Sequence, residues 1–160
     1  YVGLMIQNQE PYVVEYNCRF GDPEAQPVLM RLQTDFATHC HAATESGGLK
    51  GQQFKFKKNC TVAVVLTSPG YPGKYKTNLP ISGLNANVPG TKVFHAGTKE
   101  EQGRIVTNGG RVLTVVSSGP TVELAQRNAY ARANKIHWSG VHMRTDIGHK
   151  AIARERKKTA

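Results

Sequence analysis

The chain has 160 residues, 39% of them hydrophobic, and its 21 basic against 11 acidic side chains give a net charge of +10. That length can bury one respectable core or two small ones, and no apolar run approaches a membrane span, so an integral membrane protein is excluded as the default reading. The charge is dispersed over Lys55, Lys57 and Lys58, then Arg127, Arg132 and Lys135, then Arg154, Arg156, Lys157 and Lys158; such scatter fits solvated faces and a frayed tail, with no nucleic-acid or membrane partner.

In chain order, residues 1–6 read as a first strand and residues 12–20 as its antiparallel partner, joined through a polar link at 7–11 into a hairpin. The second strand alternates with a period of two. Tyr12, Val14, Tyr16, Cys18 and Phe20 share one face, and Val13, Glu15, Asn17 and Arg19 share the other. The first face is expected to pack; the second carries a row of a carboxylate, an amide and a guanidinium.

After the strand, Gly21 permits a sharp turn, Asp22 is placed to cap, and Pro23 suits a first helical position. One helix is expected to follow, with Val28, Leu32, Phe36 and Cys40 as an apolar stripe ending before Gly47 and Gly48. His39, Cys40 and His41 are adjacent on it and point in different directions, which disfavours a shared metal. The three cysteines, Cys18, Cys40 and Cys60, stand at spacings unlike any zinc motif and read as reduced, mostly buried thiols of a cytoplasmic protein.

The lysine-rich stretch 51–59 marks a boundary, so residues 1–55 and 56–160 are expected to form separate units. Beyond it, residues 60–66 form a β-branched strand, and S-P-G-Y-P-G at 68–73 is a loop set by its glycines and prolines. Short strands are expected at 92–95 and 104–107, with Asn108-Gly109 turning a hairpin into the next strand from Arg111. Thr121 caps a second helix reaching about Lys135, with Val122, Ala125, Ala129, Ala133 and Ile136 inward. Trp138, Val141 and Met143 suggest a last strand, and Asp146 a local partner for Arg144. The class is α+β, with mainly antiparallel strands.

The row on the second strand has a chemical reading. A hard divalent cation such as magnesium takes one or two carboxylate or amide oxygens together with substrate phosphates and waters, which Glu15 and Asn17 can provide. The fork of Arg19 can hold a phosphate oxygen in two places. The plainer reading is a polar strand face in which Arg19 pairs with Glu15. His95, Thr98, Asn108 and Arg111 are polar groups beside glycines, placed either to form turns or to reach a site.

The residues also carry a resemblance. E-Y-N-C-R at 15–19 resembles the E-x-N-x-R strand of ATP-grasp ligases, and R-F-G-D-P-E-A-Q at 19–26 is similar to the signature of the phosphoribosylamine-glycine ligase family, also called glycinamide ribonucleotide synthetases. Further matching stretches are G-Y-P-G at 70–73, V-F-H-A-G-T at 93–98, V-T-N-G-G-R-V-L at 106–113 and D-I-G at 146–148. The resemblance runs in order through nearly the whole chain.

That resemblance implies the end of an ATP-grasp domain followed by a small carboxy-terminal α+β domain. It implies that this chain is the carboxy-terminal part of a longer ligase, inactive without the upstream part of its own polypeptide. The reaction it implies joins glycine to 5-phosphoribosylamine through a glycyl phosphate, using ATP with magnesium or manganese. Glu15 and Asn17 would be metal ligands and Arg19 the catalytic cation. Residues 1–6 contain no acid, so further ligands would come from elsewhere. The competing readings are a carboxylase-type ATP-grasp enzyme, which shares E-x-N-x-R but not the stretch that follows, and a structural or dimerising domain.

Overall fold

Strand β7 (Arg111–Gly119) is the axis of the molecule: residues 112–117 are all buried, so both of its faces are covered. The structure is a computed structural model describing residues 1–159. In chain order the elements are β1 (Val2–Gln7), β2 (Glu10–Tyr16), α1 (Ala25–Arg31), α2 (Phe36–Thr44), β3 (Cys60–Thr67), β4 (Thr91–His95), β5 (Thr98–Glu101), β6 (Arg104–Thr107), β7, α3 (Val122–Ala133) and α4 (His149–Thr159). β1 and β2 form one ribbon, β5 and β6 another, and a three-stranded antiparallel sheet has the order β3-β7-β4.

One face of that sheet carries the core. Val62, Val64 and Leu66 of β3 stand opposite Ser117, Val115 and Leu113 of β7, and they pack with Ala125, Ala129 and Ala133 of α3 and with Ile136 and Trp138. The alanine stripe lets α3 approach closely, and the Thr121 hydroxyl accepts the Leu124 N–H to cap it. On the opposite face α1 packs against β3 and β7, and the Thr61 hydroxyl donates to the Pro27 carbonyl at 3.0 Å.

The first ribbon stands apart from this core. Asn8 and Gln9 both have positive φ, the geometry of a tight two-residue hairpin turn, so the strands run closer to the turn than the sequence suggests. Every residue of β2 is exposed, Tyr16 at 75%. The expected packing behind Tyr12, Val14 and Tyr16 is therefore absent among the described residues, whereas Phe20, beyond the strand, meets the Phe36 ring edge-on with centroids 5.6 Å apart.

Four further expectations change. The single long helix is two: Leu32 is extended, and its neighbours pair with a distant strand-like segment, Gln33 N–H to Lys55 O and Lys57 N–H to Arg31 O. Asp35 then restarts the helix by accepting the Ala37 and Thr38 N–H groups. The turn at Asn108-Gly109 does not make a hairpin, since β6 pairs with β5 through Gln102-Gly103, while β7 pairs with β3 and β4. The stretch around Trp138, Val141 and Met143 is not a strand; it forms isolated bridges, His142 with Thr67 of β3 and His137 with the loop residue Ser82, while Trp138 packs into the core.

The basic tail is a helix rather than a frayed end. In α4, Ile152 is buried, Glu155 accepts the Val122 N–H at 3.0 Å, and Arg156 pairs with Glu123 at 2.7 Å. No helix among the described residues is long and apolar enough to cross a membrane.

Candidate functional site

The motif-bearing loops meet at one end of the three-stranded sheet. The loop after β3 is tied to the one before β7: Ser68, 1% exposed, donates its hydroxyl to Gly109 O at 2.7 Å and its N–H to Gly110 O at 2.8 Å. The β4–β5 loop lies against the same turn, with Gly97 N–H on Arg111 O and Asn108 N–H on Gly97 O. A Cβ on Gly97 would sit 2.8 Å from Gly109 Cα, so backbone meets backbone here and side chains are excluded. His95, at the end of β4, holds the Thr98 hydroxyl at 3.0 Å through Nδ1.

Arg111 links this cluster to the amino-terminal residues. Its Nε donates to the Tyr71 hydroxyl at 3.0 Å, and its Nη1 donates to the backbone carbonyl of Asp22 at 2.8 Å while lying 3.1 Å from the Asp22 carboxylate. The Tyr71 hydroxyl, opposed by partial burial and supported by Asp22, holds the Arg111 pKa above the ordinary arginine value, so it is a permanent cation. Asp22 is thus the partner of a residue 89 positions away and not a helix cap; the helix start at Glu24 has no side-chain cap at all.

A single bulge aims Arg111. Thr67 pairs with Arg111 and Leu66 with Leu113, which leaves Val112 extra. The bulge therefore carries Arg111 to the Thr67 and Val65 side of the sheet, away from the core face of Leu113 and Val115. There it lines an open cleft of about 410 Å³ with Pro23, Val65, Tyr71, Met143 and Ile147. Arg144, on the rim, is gripped by Asp146 through both carboxylate oxygens, at 2.8 and 2.6 Å. This hydrogen bond is the main reason that Asp146 has its pKa lowered to about 2.

The three residues expected to form a row are placed differently from one another. Glu15 is on β2, exposed, opposite Gly3; a Cβ on Gly3 would lie 3.0 Å from Glu15 Cγ, so the glycine leaves room for the acid's stem. Asn17 lies just past the strand and is pinned by two backbone bonds of 2.9 Å to Tyr1; its Nδ2 is buried without a partner. Arg19 is in a bend beyond the strand, and its Nη1 donates to the neighbouring Phe20 carbonyl at 2.9 Å. It is not on the strand face, because β2 ends at Tyr16. Asn17 and Arg19 line a shallow hollow of about 330 Å³ with Tyr1, Cys18 and Phe20, and Glu15 does not.

The two histidines on α2 lie in different surroundings. His39 is buried and stacks on Phe54 with ring centroids 4.0 Å apart, while Cys40 and His41 are exposed; no group of three metal-ligating side chains occurs among the described residues. Cys18 and Cys40 are exposed rather than buried. The partnership of Arg111 with Asp22 was not readable in advance. The only signal was that the arginine follows two glycines and the aspartate follows one.

Residues 61–150 match the family profile described as Phosphoribosylglycinamide synthetase, C domain, and residues 1–25 match Phosphoribosylglycinamide synthetase, ATP-grasp (A) domain. An antiparallel hairpin of ATP-grasp type is thus followed by the glycine-rich lobe of one class of ATP-grasp proteins. The chain belongs to the phosphoribosylglycinamide synthetase family, as its motifs and its α+β class lead one to expect. It is 50% identical to a phosphoribosylamine--glycine ligase of Vibrio cholerae over 160 residues, 99% of this chain and 37% of that protein. An Escherichia coli protein of the same name is 48% identical over 158 residues, 97% of this chain and 37% of its own length. A crystal structure of the Thermotoga maritima phosphoribosylamine--glycine ligase superposes with a TM-score of 0.70 at 33% identity, over 91% of this chain and 35% of that one. The chain spans little more than a third of the length of the curated relatives it matches.

Proposed function

We propose that this chain supplies the carboxy-terminal part of an ATP-dependent ligase that joins glycine to 5-phosphoribosylamine. ATP activates the glycine carboxylate as glycyl phosphate, and the amine of phosphoribosylamine displaces the phosphate to give glycinamide ribonucleotide. The observation that carries this reading is identity near 50% along 99% of the chain to a ligase of that name. In this reading residues 1–55 close the ATP-grasp domain and residues 56–160 form the second lobe. The remaining partner is the upstream part of the same polypeptide. Its substrates are charged and water-borne, so its setting is cytoplasmic.

Glu15 and Asn17 suit a hard divalent cation, magnesium or manganese, that would accompany ATP and neutralise phosphate charge. Glu15 is an exposed carboxylate with no ion pair among the described residues. The Asn17 amide nitrogen has no hydrogen-bond partner among the described residues, and the amide oxygen of the same group would be the second ligand. Two oxygens from the chain are what such a cation ordinarily takes beside substrate oxygens. Arg19 is the cation for the transferring phosphoryl group. Positioning and charge neutralisation carry such reactions, and no side chain need bond covalently.

The test is glycine-dependent ADP release with ATP, magnesium and freshly generated phosphoribosylamine. It is run on the chain alone and mixed with the upstream polypeptide of the Escherichia coli relative. Activity only on mixing is expected. Activity of the chain alone, or ADP release that follows bicarbonate in place of glycine, removes the reading.

A further inference from the structure

Arg19 hangs between two anchors. On one side Asn17 is bonded to Tyr1 through both backbone groups. On the other, Asp22 is held through its carbonyl and its carboxylate by Arg111. Only Cys18, Arg19, Phe20 and Gly21 lie between, and among the described residues the Arg19 side chain has a single hydrogen bond, to its neighbour's carbonyl. Its position is therefore set by its anchors and not by its own contacts.

The second anchor is built on the core sheet and the first on an exposed ribbon. Arg111 opens strand β7, whose residues 112–117 are buried, directly before Val112 and Leu113, both 0% exposed. Its guanidinium is fixed at Nε by Tyr71, and the Tyr71 ring is in turn seated over Gly110. The hairpin, by contrast, is exposed throughout β2. Gly21 is buried, and its carbonyl accepts the Ala25 N–H at 2.9 Å, which ties the turn after Arg19 to the start of α1.

We propose that Arg111 is a positioning residue for the ligase reaction, acting through Asp22 to fix Arg19 at the phosphoryl group. The inference rests on the function proposed above. A displacement of about 1 Å at a phosphoryl-holding group is enough to cost roughly a hundredfold in rate, so a link of this kind matters without touching substrate. Arg111→Gln loses the charge and the two-point grip; Arg111→Lys keeps a cation that reaches one Asp22 oxygen.

Two readouts keep the role distinct from the reaction itself. In the chain alone, amide exchange is followed at Asn17 and Ala25, whose N–H groups bond Tyr1 O and Gly21 O on either side of the segment. The Arg111→Gln variant is expected to speed exchange at Ala25 by about tenfold, with protection across β3 and β7 unchanged. In the mixture with the upstream polypeptide, the same variant is expected to lower kcat by about tenfold or more, with KM for glycine and ATP within about twofold, and Arg111→Lys to recover part of the loss. Unchanged exchange at Ala25 overturns the link. A rise in KM for glycine or phosphoribosylamine at constant kcat makes Arg111 a substrate contact and also overturns it. A mixture silent with unsubstituted chain counts against the ligase reading alone, and the exchange arm still decides the anchor.

Discussion

The ring of Tyr71 rests on Gly110 so closely that a Cβ on Gly110 would overlap the ring's Cδ2 and Cε2 atoms. The ring also faces Tyr75, with centroids 6.3 Å apart, and its hydroxyl accepts from Arg111 at 3.0 Å. One absent side chain therefore decides where the Tyr71 hydroxyl stands.

Gly110→Ala is expected to displace Tyr71 and lower stability by about 1–3 kcal/mol, the usual cost of overpacking a closed contact. Urea unfolding measures it. Gly73→Ala, whose Cβ would meet only the Gly70 carbonyl at 3.2 Å, is the matched control and should cost less. Equal losses would show that the ring moves aside freely.

Arg132 is 3% exposed and donates to the Gly83 and Leu84 carbonyls at 3.0 and 2.7 Å, and burial lowers its pKa from the ordinary arginine value. Arg132→Met keeps much of the volume and removes both donors. It is expected to cost about 2–4 kcal/mol, because bonds from a charged donor are lost and two carbonyls are left without it. Denaturant midpoints measure this, and a loss below about 1 kcal/mol would mean that water replaces the guanidinium.

The Asp146 carboxyl, with its pKa lowered to about 2 by Arg144, gives a pH signature. A carboxylate depressed below its unfolded value of about 3.9 contributes stability above that pH and loses it as pH falls through the folded value. The contribution should therefore fade between about pH 4 and pH 2. Asp146→Asn should lower Tm slightly at neutral pH, by little because the pair is exposed, and flatten the acid limb so that the two proteins converge near pH 2. Parallel profiles for the two proteins would dismiss the pair as a source of acid sensitivity.

Glu15→Gln, assayed in the mixture with the upstream polypeptide, is expected to lower turnover by about a hundredfold or more if the carboxylate holds the nucleotide's cation. Its unfolding midpoint should stay put, because Glu15 is exposed and unpaired among the described residues. Near-normal turnover would remove Glu15 from the mechanism. Chelation of divalent metal should silence both proteins and be reversed by magnesium.

Local chemistry determined much of this protein from the sequence alone. The β-branched run of β3, the Thr121 cap with its alanine stripe, and the Asp146–Arg144 pair depend on neighbours within a few residues, so their pattern is written where it acts. The family resemblance lay in the same short motifs. What the sequence did not contain was which distant segments compete for a backbone group. The stripe from Val28 to Cys40 is helical in period, yet the pairing of Arg31 and Gln33 with Lys57 and Lys55 breaks it. Asn108-Gly109 is a strong hairpin signal, yet β7 is claimed by β3 and β4. A strict period of two would set Arg111 beside Leu113 in the core, and one bulge at Val112 turns it toward Asp22. Those choices fell to the tertiary structure because a hydrogen bond or a register shift between residues far apart is worth no more locally than its alternatives, and only the burial of the whole sheet separates them.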